Sequence, residues 1–120
     1  MAKSSGKLTP CPPKKPLHKR KLLSLGEAAK LESLYKILAS DTRLRLLHAL
    51  ARKGELCVND LASSVNMRVQ AVSNQLQRLV DGRIVGSRRE GVQVFYRVVD
   101  PCVTVLLDRG LCLLEDADSL

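Results

Sequence analysis

The sequence predicts a mainly α-helical fold with one β-hairpin, arranged as a winged helix-turn-helix. Two short stretches with apolar residues at helical spacing, 58–65 and 69–81, are separated only by a brief turn. Such a pair is typical of a helix-turn-helix. After Gly82 the apolar residues alternate instead of following the helical period, which predicts a hairpin directly behind the second helix.

Size, charge and composition restrict the class of protein. The chain of 120 residues is long enough for one domain with a modest core and too short for an enzyme with a separate cofactor domain. Its formal charge of +8 predicts a polyanionic partner, with nucleic acid ahead of a membrane surface. No apolar run reaches the length of a membrane span, and no signal-peptide core follows the N-terminus. We therefore expect a cytoplasmic protein that has no membrane partner and is not an enzyme.

The composition divides the chain into two parts. Residues 1–24 hold four of the five prolines and seven lysines and arginines, which predicts a flexible basic N-terminal arm. This arm is either a tail without a specific role or a segment that follows DNA phosphates and carries Cys11 as a tethered ligand. Residues 25–120 are expected to form the DNA-binding and dimerisation domain.

Two helices are expected before the helix-turn-helix. The first runs from Leu25 to near Ala39, and the second runs from a cap at Ser40 or Asp41 to about residue 53, where Gly54 ends it. We expect His48 to be packed or hydrogen-bonded rather than a ligand. The side chains of the second helix expected to point inward are Leu44, Leu47, Leu50 and Ala51.

The helix over 69–81 has the pattern of a DNA-recognition helix. Its apolar stripe consists of Val69, Val72, Leu76, Leu79 and Val80. Its polar stripe consists of Gln70, Ser73, Asn74 and Gln77. Amides and a hydroxyl on that face suit pairing with base edges in the major groove, although the same pattern also occurs on the solvated face of an ordinary amphipathic helix.

Basic residues near the tip of the hairpin indicate a wing. We expect strands over 84–89 and 92–99, joined at Glu90 and Gly91. Arg88 and Arg89 lie close to this connection. They would contact the phosphate backbone or the minor groove, while the alternative is an ordinary soluble hairpin.

The last helix predicts a homodimer. Asp100 and Pro101 are a strong helix start, since a carboxylate caps the helix and proline occupies its first position. A wide apolar stripe follows, formed by Val103, Leu106, Leu107, Gly110, Leu111 and Leu114. A chain this small has difficulty covering such a stripe. We expect it to pack against the first helix and a second subunit, giving a twofold dimer that matches a palindromic DNA site.

Several motifs in the right order resemble a known family. They are Leu38-Ala-Ser-Asp-Thr-Arg-Leu-Arg-Leu-Leu47, Glu55-Leu-Cys-Val-Asn-Asp-Leu-Ala62, Ala71-Val-Ser-Asn-Gln-Leu76 and Gly91-Val-Gln-Val-Phe-Tyr-Arg-Val98. Between about residues 31 and 116 the chain resembles the ArsR/SmtB family of metal-responsive winged-helix repressors. The resemblance implies a dimer without a permanent cofactor, which binds double-stranded operator DNA and releases it on binding an inducing ion. The chain departs from the family pattern at Arg68, where the family usually has a small capping residue. Arg68 would instead hold a phosphate.

The four cysteines are expected as thiols that bind a metal or sense oxidants. In the thiol-sensing branch of the family, Cys57 matches a metal-binding position at the start of the third helix. The resemblance implies that Cys11, from the arm of the other subunit, completes that site. This branch commonly has a second cysteine two residues later, where this chain has Asn59.

A second family site lies on the last helix, where a zinc-sensing branch uses carboxylate and imidazole ligands. Asp100, Cys102 and Asp116 match three of those positions and Leu113 the fourth, so neither imidazole is present. Cys102 and Cys112 are ten residues apart and therefore about 80° off a shared helix face. Either one would contribute only across a dimer interface or together with Cys57 or Cys11.

The two candidate sites have few thiolates and lack the family's imidazoles. This favours a soft ion that two or three sulfurs can coordinate. On this basis mercury(II) ranks first and arsenic(III) second, ahead of cadmium(II) and lead(II), with zinc(II) last. The expected ligands are Cys57, Cys11, Cys102 and Cys112. Two alternatives stay open: a repressor switched by disulfide formation and a constitutive DNA-binding protein.

Overall fold

The computed structural model describes residues 14–119 and contains five helices and three strands in that range. A short 3-10 turn covers Leu17–Lys19. The helices are α1 (Leu25–Leu38), α2 (Asp41–Lys53), α3 (Val58–Val65), α4 (Val69–Asp81) and α5 (Pro101–Ser119). The strands are β1 (Leu56–Cys57), β2 (Val85–Glu90) and β3 (Gln93–Val98). Cys11 and the first part of the expected arm lie outside the described residues.

Short polar residues begin the first two helices and a glycine ends the second. The sequence predicts the cap at Ser40 and the end at Gly54, but it did not predict the cap at Ser24. The Ser24 hydroxyl accepts the backbone N–H of Glu27 at 3.1 Å, and the Glu27 carboxylate accepts the backbone N–H of Ser24 at 3.0 Å, which completes a capping box. The Ser40 hydroxyl likewise accepts the N–H of Arg43 at the start of α2. Gly54 ends α2 at φ 90°, a conformation that a side chain would strain.

The sheet has a third strand that the sequence did not predict. Its order is β1-β3-β2 with antiparallel pairs, and β1 is only two residues long, too short to show an alternating pattern. The predicted turn position was also wrong by one residue. Glu90 pairs with Gln93, so Gly91 and Val92 form the turn, and Gly91 takes the left-handed conformation there at φ 65°.

The core lies between α2, α3, α4 and the sheet. The side chains with less than 2% exposure are Leu46, Leu47, Leu50, Leu61, Val72, Leu76, Leu79 and Val85. Two expectations for α2 were wrong: Leu44 is 40% exposed and His48 is exposed. Both side chains line an open groove next to α5, because α3 and α4 cover the opposite side of α2.

An apolar groove between α1, α2 and α5 is left open in the single chain. Its volume is about 430 Å³. Its apolar lining is formed by Tyr35, Leu38, Leu44, Leu106, Leu107, Leu111 and Leu114. Within the described part of α1 only Leu38 is buried. Both helices expected to form the dimer interface therefore carry uncovered apolar side chains. None of the described helices is long and apolar enough to cross a membrane.

Candidate DNA-binding surface and thiol sites

The recognition helix α4 has one face in the core and one in solvent. Val72, Leu76 and Leu79 are fully buried, whereas Val69 is 44% exposed because it lies in the first turn, at the edge of the core. On the polar stripe, Gln70, Asn74 and Gln77 are exposed and Ser73 is half-buried. The structure therefore presents the predicted base-reading side chains together on one surface.

Hydrogen bonds along α4 orient the amides of this surface. Gln70 Nε2 donates to Asn74 Oδ1 at 3.0 Å, and Gln77 Nε2 donates to Asp81 Oδ1 at 2.8 Å. Both pairs are four residues apart, the spacing at which side chains on a helix meet. Because these pairs already restrict the side-chain rotamers, less conformational entropy is lost when an amide binds a base edge.

Two arginines next to α4 have different environments. Arg68 precedes α4, makes no side-chain capping bond and is exposed, so its guanidinium is available for a phosphate. Arg43 instead joins α2 to the rest of the domain: its Nε donates to the carbonyl of Ile37 at 2.6 Å and its Nη1 to Gln75 Oε1 at 2.8 Å. Sequence reasoning missed this anchor of the recognition helix because Arg43 and Gln75 are far apart in the chain.

The two wing arginines have different environments. Arg88 crosses the ring of Phe95, 4.8 Å from its centroid, and binds both carboxylate oxygens of Glu55 at 2.9 and 2.8 Å. It also lies 3.5 Å from Glu90. Arg89 is exposed and points from the opposite face of β2, and no described residue forms an ion pair with it. Of the pair predicted to bind DNA, Arg89 is the available one and Arg88 is held by Glu55.

This ion pair persists across neutral pH. Hydrogen bonds from Arg88 lower the pKa of Glu55; burial opposes that shift, and the charges of Arg88 and Arg97 lower the pKa further. A carboxyl with a depressed pKa in the folded state stabilises the fold above its ordinary pKa, and this contribution is lost as the pH falls through the lowered value. Glu55 therefore keeps Arg88 away from solvent anions until the solution is acidic.

Releasing Arg88 is expected to strengthen DNA binding. In Glu55→Ala the guanidinium of Arg88 gains access to a phosphate, so operator affinity should rise. The slope of log affinity against log salt concentration should become steeper by about 1 to 2 for a dimer. Fluorescence anisotropy between low and moderate salt measures both quantities. Glu32→Ala is the matched control, because it removes the same charge from an exposed pair with Lys36 on α1. Equal effects of the two variants would contradict this role of Glu55.

Cys57 is part of the domain interior. Its side chain is 5% exposed, it is a free thiol, and its residue pairs with Phe95 across β1 and β3. Cys57 also occupies the cap position of α3 but makes no side-chain capping bond. In this environment it behaves as a small apolar side chain.

Cys102 lies in the first turn of α5, next to the described start of the arm. It is half-buried, and its backbone N–H donates to Asp100 Oδ1 at 2.8 Å, so Asp100 acts as a helix cap. The ammonium of Lys14 lies 3.7 Å from the Cys102 sulfur. Sequence reasoning missed this contact, which places the positive charge of Lys14 beside Cys102.

The described cysteines do not form a metal site within one chain. Cys112 is free and exposed, and it is ten residues from Cys102, or about 15 Å along the helix axis. Between residues 14 and 119 no group of three histidine, cysteine or acidic side chains is arranged to hold a metal ion. A complete thiolate site therefore needs Cys11, which lies outside the described residues, or a residue from a second subunit.

Comparisons with known proteins agree with this geometry. Residues 40–87 match the model of the arsR family of bacterial regulatory proteins. A transcriptional repressor SmtB homolog from Synechocystis sp. is 39% identical over 97 residues, which are 81% of this chain and 73% of that protein. The chain belongs to the ArsR family. This ArsR-family chain is accordingly a DNA-binding transcriptional regulator and not an enzyme.

Two solved structures extend the similarity to the fold and the assembly. The crystal structure of the AntR antimony-specific transcriptional repressor is 55% identical, with a TM-score of 0.78, and covers 92% of this chain and 99% of that one. The homodimeric winged helix-turn-helix domain of Mb0332 from Mycobacterium bovis is 31% identical, with a TM-score of 0.68, over 82% of this chain and 93% of that one. The ArsR-family protein thus shares the winged helix-turn-helix fold with both structures.

Proposed function

We propose that the inducer of this ArsR-family repressor is a trivalent ion of antimony or arsenic, with antimony(III) first. The observation that carries the proposal is the near full-length similarity to an antimony-specific repressor. Antimony(III) and arsenic(III) are soft ions that take three thiolates, which agrees with the shortage of imidazoles near the cysteines. The comparisons give no support to mercury(II), which the sequence alone ranked first.

The proposed site is centred on Cys102 and the arm. Lys14 contacts Cys102, and Cys11 is only three residues before Lys14. Three residues span at most about 11 Å, so chain connectivity keeps Cys11 within reach of Cys102. This is the arm cysteine that the sequence predicted as a tethered ligand, directed to the last helix instead of to Cys57.

The third thiolate is assigned to Cys112 of the partner subunit. Bonds of about 2.3 Å from an ion to sulfur keep two sulfurs on one ion within about 5 Å of each other. The rise along α5 separates Cys102 and Cys112 of one chain by about 15 Å. Cys112 therefore shares an ion with Cys102 only across the dimer, and its exposure leaves it accessible. Cys57, being buried, is assigned a packing role.

The proposed response travels through the first turn of α5. Val103, next to Cys102, is 8% exposed and packs in the same core as Val98 of β3 and Ile84. When one ion binds thiolates of the arm and of both subunits, this turn moves and the arrangement of the two subunits changes. The two α4 helices then no longer have the spacing of adjacent major grooves. A coupling free energy of about 1 to 3 kcal/mol changes operator affinity about 5- to 150-fold.

We assign the operator-binding surface to α4, with Arg68 just before it, and to the wing formed by β2 and β3. Bases are read by the exposed polar stripe of α4, which consists of Gln70, Ser73, Asn74 and Gln77. Phosphates are held by Arg68 and Arg89, while Arg88 contributes only when Glu55 releases it. The oriented amide pairs on α4 support this division between reading and positioning contacts.

The proposal is tested by titrating the reduced dimer on its operator with one ion at a time. Antimonite is expected to release the DNA at the lowest concentration, followed by arsenite, with mercury(II), cadmium(II) and zinc(II) less effective. Fluorescence anisotropy of a labelled operator reports the release, and an excess of a dithiol chelator should restore binding. Release by mercury(II) or cadmium(II) at lower concentration than antimonite would contradict the choice of ion.

A further inference from the structure

A cleft between α2 and α3 collects basic side chains that the DNA-reading surface does not use. Its volume is about 150 Å³. It is lined on the α2 side by Arg45, His48, Arg52 and Lys53, and on the α3 side by Ser64. None of these residues belongs to the polar stripe of α4, to the wing or to the thiol sites.

The positive charges of this cleft have no carboxylate partner among the described residues. The ion pairs within residues 14–119 join Lys36 to Glu32 and Arg88 to Glu55 and Glu90. Arg45 donates one N–H to the carbonyl of Val65 at 3.2 Å, which holds its guanidinium at the rim of the cleft. A guanidinium has five N–H donors, so Arg45 keeps donors for a ligand.

A second basic cleft has more contacts with the rest of the fold. It is lined by Lys36, Arg43 and Arg78. There Arg43 is bonded to Gln75 and to the carbonyl of Ile37, and Lys36 is paired with Glu32, whereas Arg78 has no ion pair with a described residue. Unlike Lys36, no cation of the α2–α3 cleft is paired with a carboxylate among the described residues.

We propose that the α2–α3 cleft is a phosphate-binding site and that it holds a backbone phosphate of the operator. Guanidinium and ammonium groups around a small polar cleft match the charge and the acceptor oxygens of a phosphate. Val65 ends α3, and the turn at Asn66 and Met67 leads directly into α4. A phosphate in the cleft would therefore lie on the helix-turn-helix, outside the base-reading contacts. It would add affinity without sequence preference.

The test is the salt dependence of operator binding by Arg52→Gln/Lys53→Gln. Each lost phosphate contact lowers the slope of log affinity against log salt by about 0.9, so two clefts in a dimer lower it by about 2. Arg45 is left intact because it also bonds the end of α3. Lys30→Gln/Lys36→Gln is the control, because it removes the same charge from exposed positions on α1. Thermal unfolding confirms that both variants are folded.

A second arm of the experiment separates a DNA phosphate from a free one. The melting temperature is compared in inorganic phosphate and in chloride at equal ionic strength, for wild type and for the cleft variant. A lowered salt slope in the cleft variant alone identifies the operator as the source. An unchanged slope together with a phosphate-dependent rise in melting temperature that the variant loses identifies a free anion. An unchanged slope with no phosphate effect, or an equal fall in slope in the control, overturns the proposal.

Discussion

Cys102→Ser is expected to abolish the response to antimonite while leaving operator binding intact. Cys102 is the cysteine that the described start of the arm contacts, through Lys14, and it supplies one of three sulfurs in the proposed site. A serine hydroxyl is a poor ligand for a soft ion. The change in operator affinity of about 5- to 150-fold that the ion causes in the wild type should therefore disappear.

Cys57→Ala provides the control for this result. Cys57 is buried, and alanine keeps a small apolar side chain at that position, so this variant should release DNA at the same antimonite concentration as the wild type. The measurement is operator anisotropy with reduced protein at one salt concentration. If Cys102→Ser still responds and Cys57→Ala does not, the site lies at the start of α3, as the family resemblance alone implied.

Leu76→Ala is expected to cause the largest loss of stability among single changes in α4. Leu76 is completely buried in the layer that holds the recognition helix on the core, and the shortened side chain leaves a cavity. Such truncations lower the free energy of unfolding by about 2 to 5 kcal/mol. A loss of this size also weakens operator binding, because the polar stripe of α4 is positioned by its buried face.

Urea unfolding followed by circular dichroism measures this effect. Wild type and variant must be compared at equal protein concentration, because unfolding of a dimer depends on concentration. Val92→Ala is the reference, since Val92 is 95% exposed in the hairpin turn and surface changes stay within about 0.5 kcal/mol. A loss below about 1 kcal/mol in Leu76→Ala would show that α4 is not held through this contact.

The helices were predictable because local signals mark their ends. Ser40, Gly54 and the Asp100-Pro101 pair act on the backbone within one turn, so neighbouring residues suffice to recognise them. β1 was missed because two residues carry no period. Leu44 was assigned to the interior, and His48 was expected to be packed or hydrogen-bonded, because helical spacing does not say which side of α2 the other elements cover.

The functional surface was predictable in part for the same reason. The polar stripe of α4 follows from helical periodicity, and the structure presents it as expected. The engagement of Arg88 by Glu55 depends on β1 pairing with β3, which brings together side chains 33 residues apart. Likewise, the contact between Lys14 and Cys102 joins the two ends of the chain, and only the fold reveals it.

The most direct test of the central claim is release of the operator by antimonite, measured on the reduced wild-type dimer. The structure and its similarity to an antimony-specific repressor lead us to expect release at a lower concentration of antimonite than of mercury(II) or cadmium(II), with recovery after a dithiol chelator is added. Persistent binding at saturating antimonite and arsenite would contradict the account and leave an ArsR-family repressor with a different inducer.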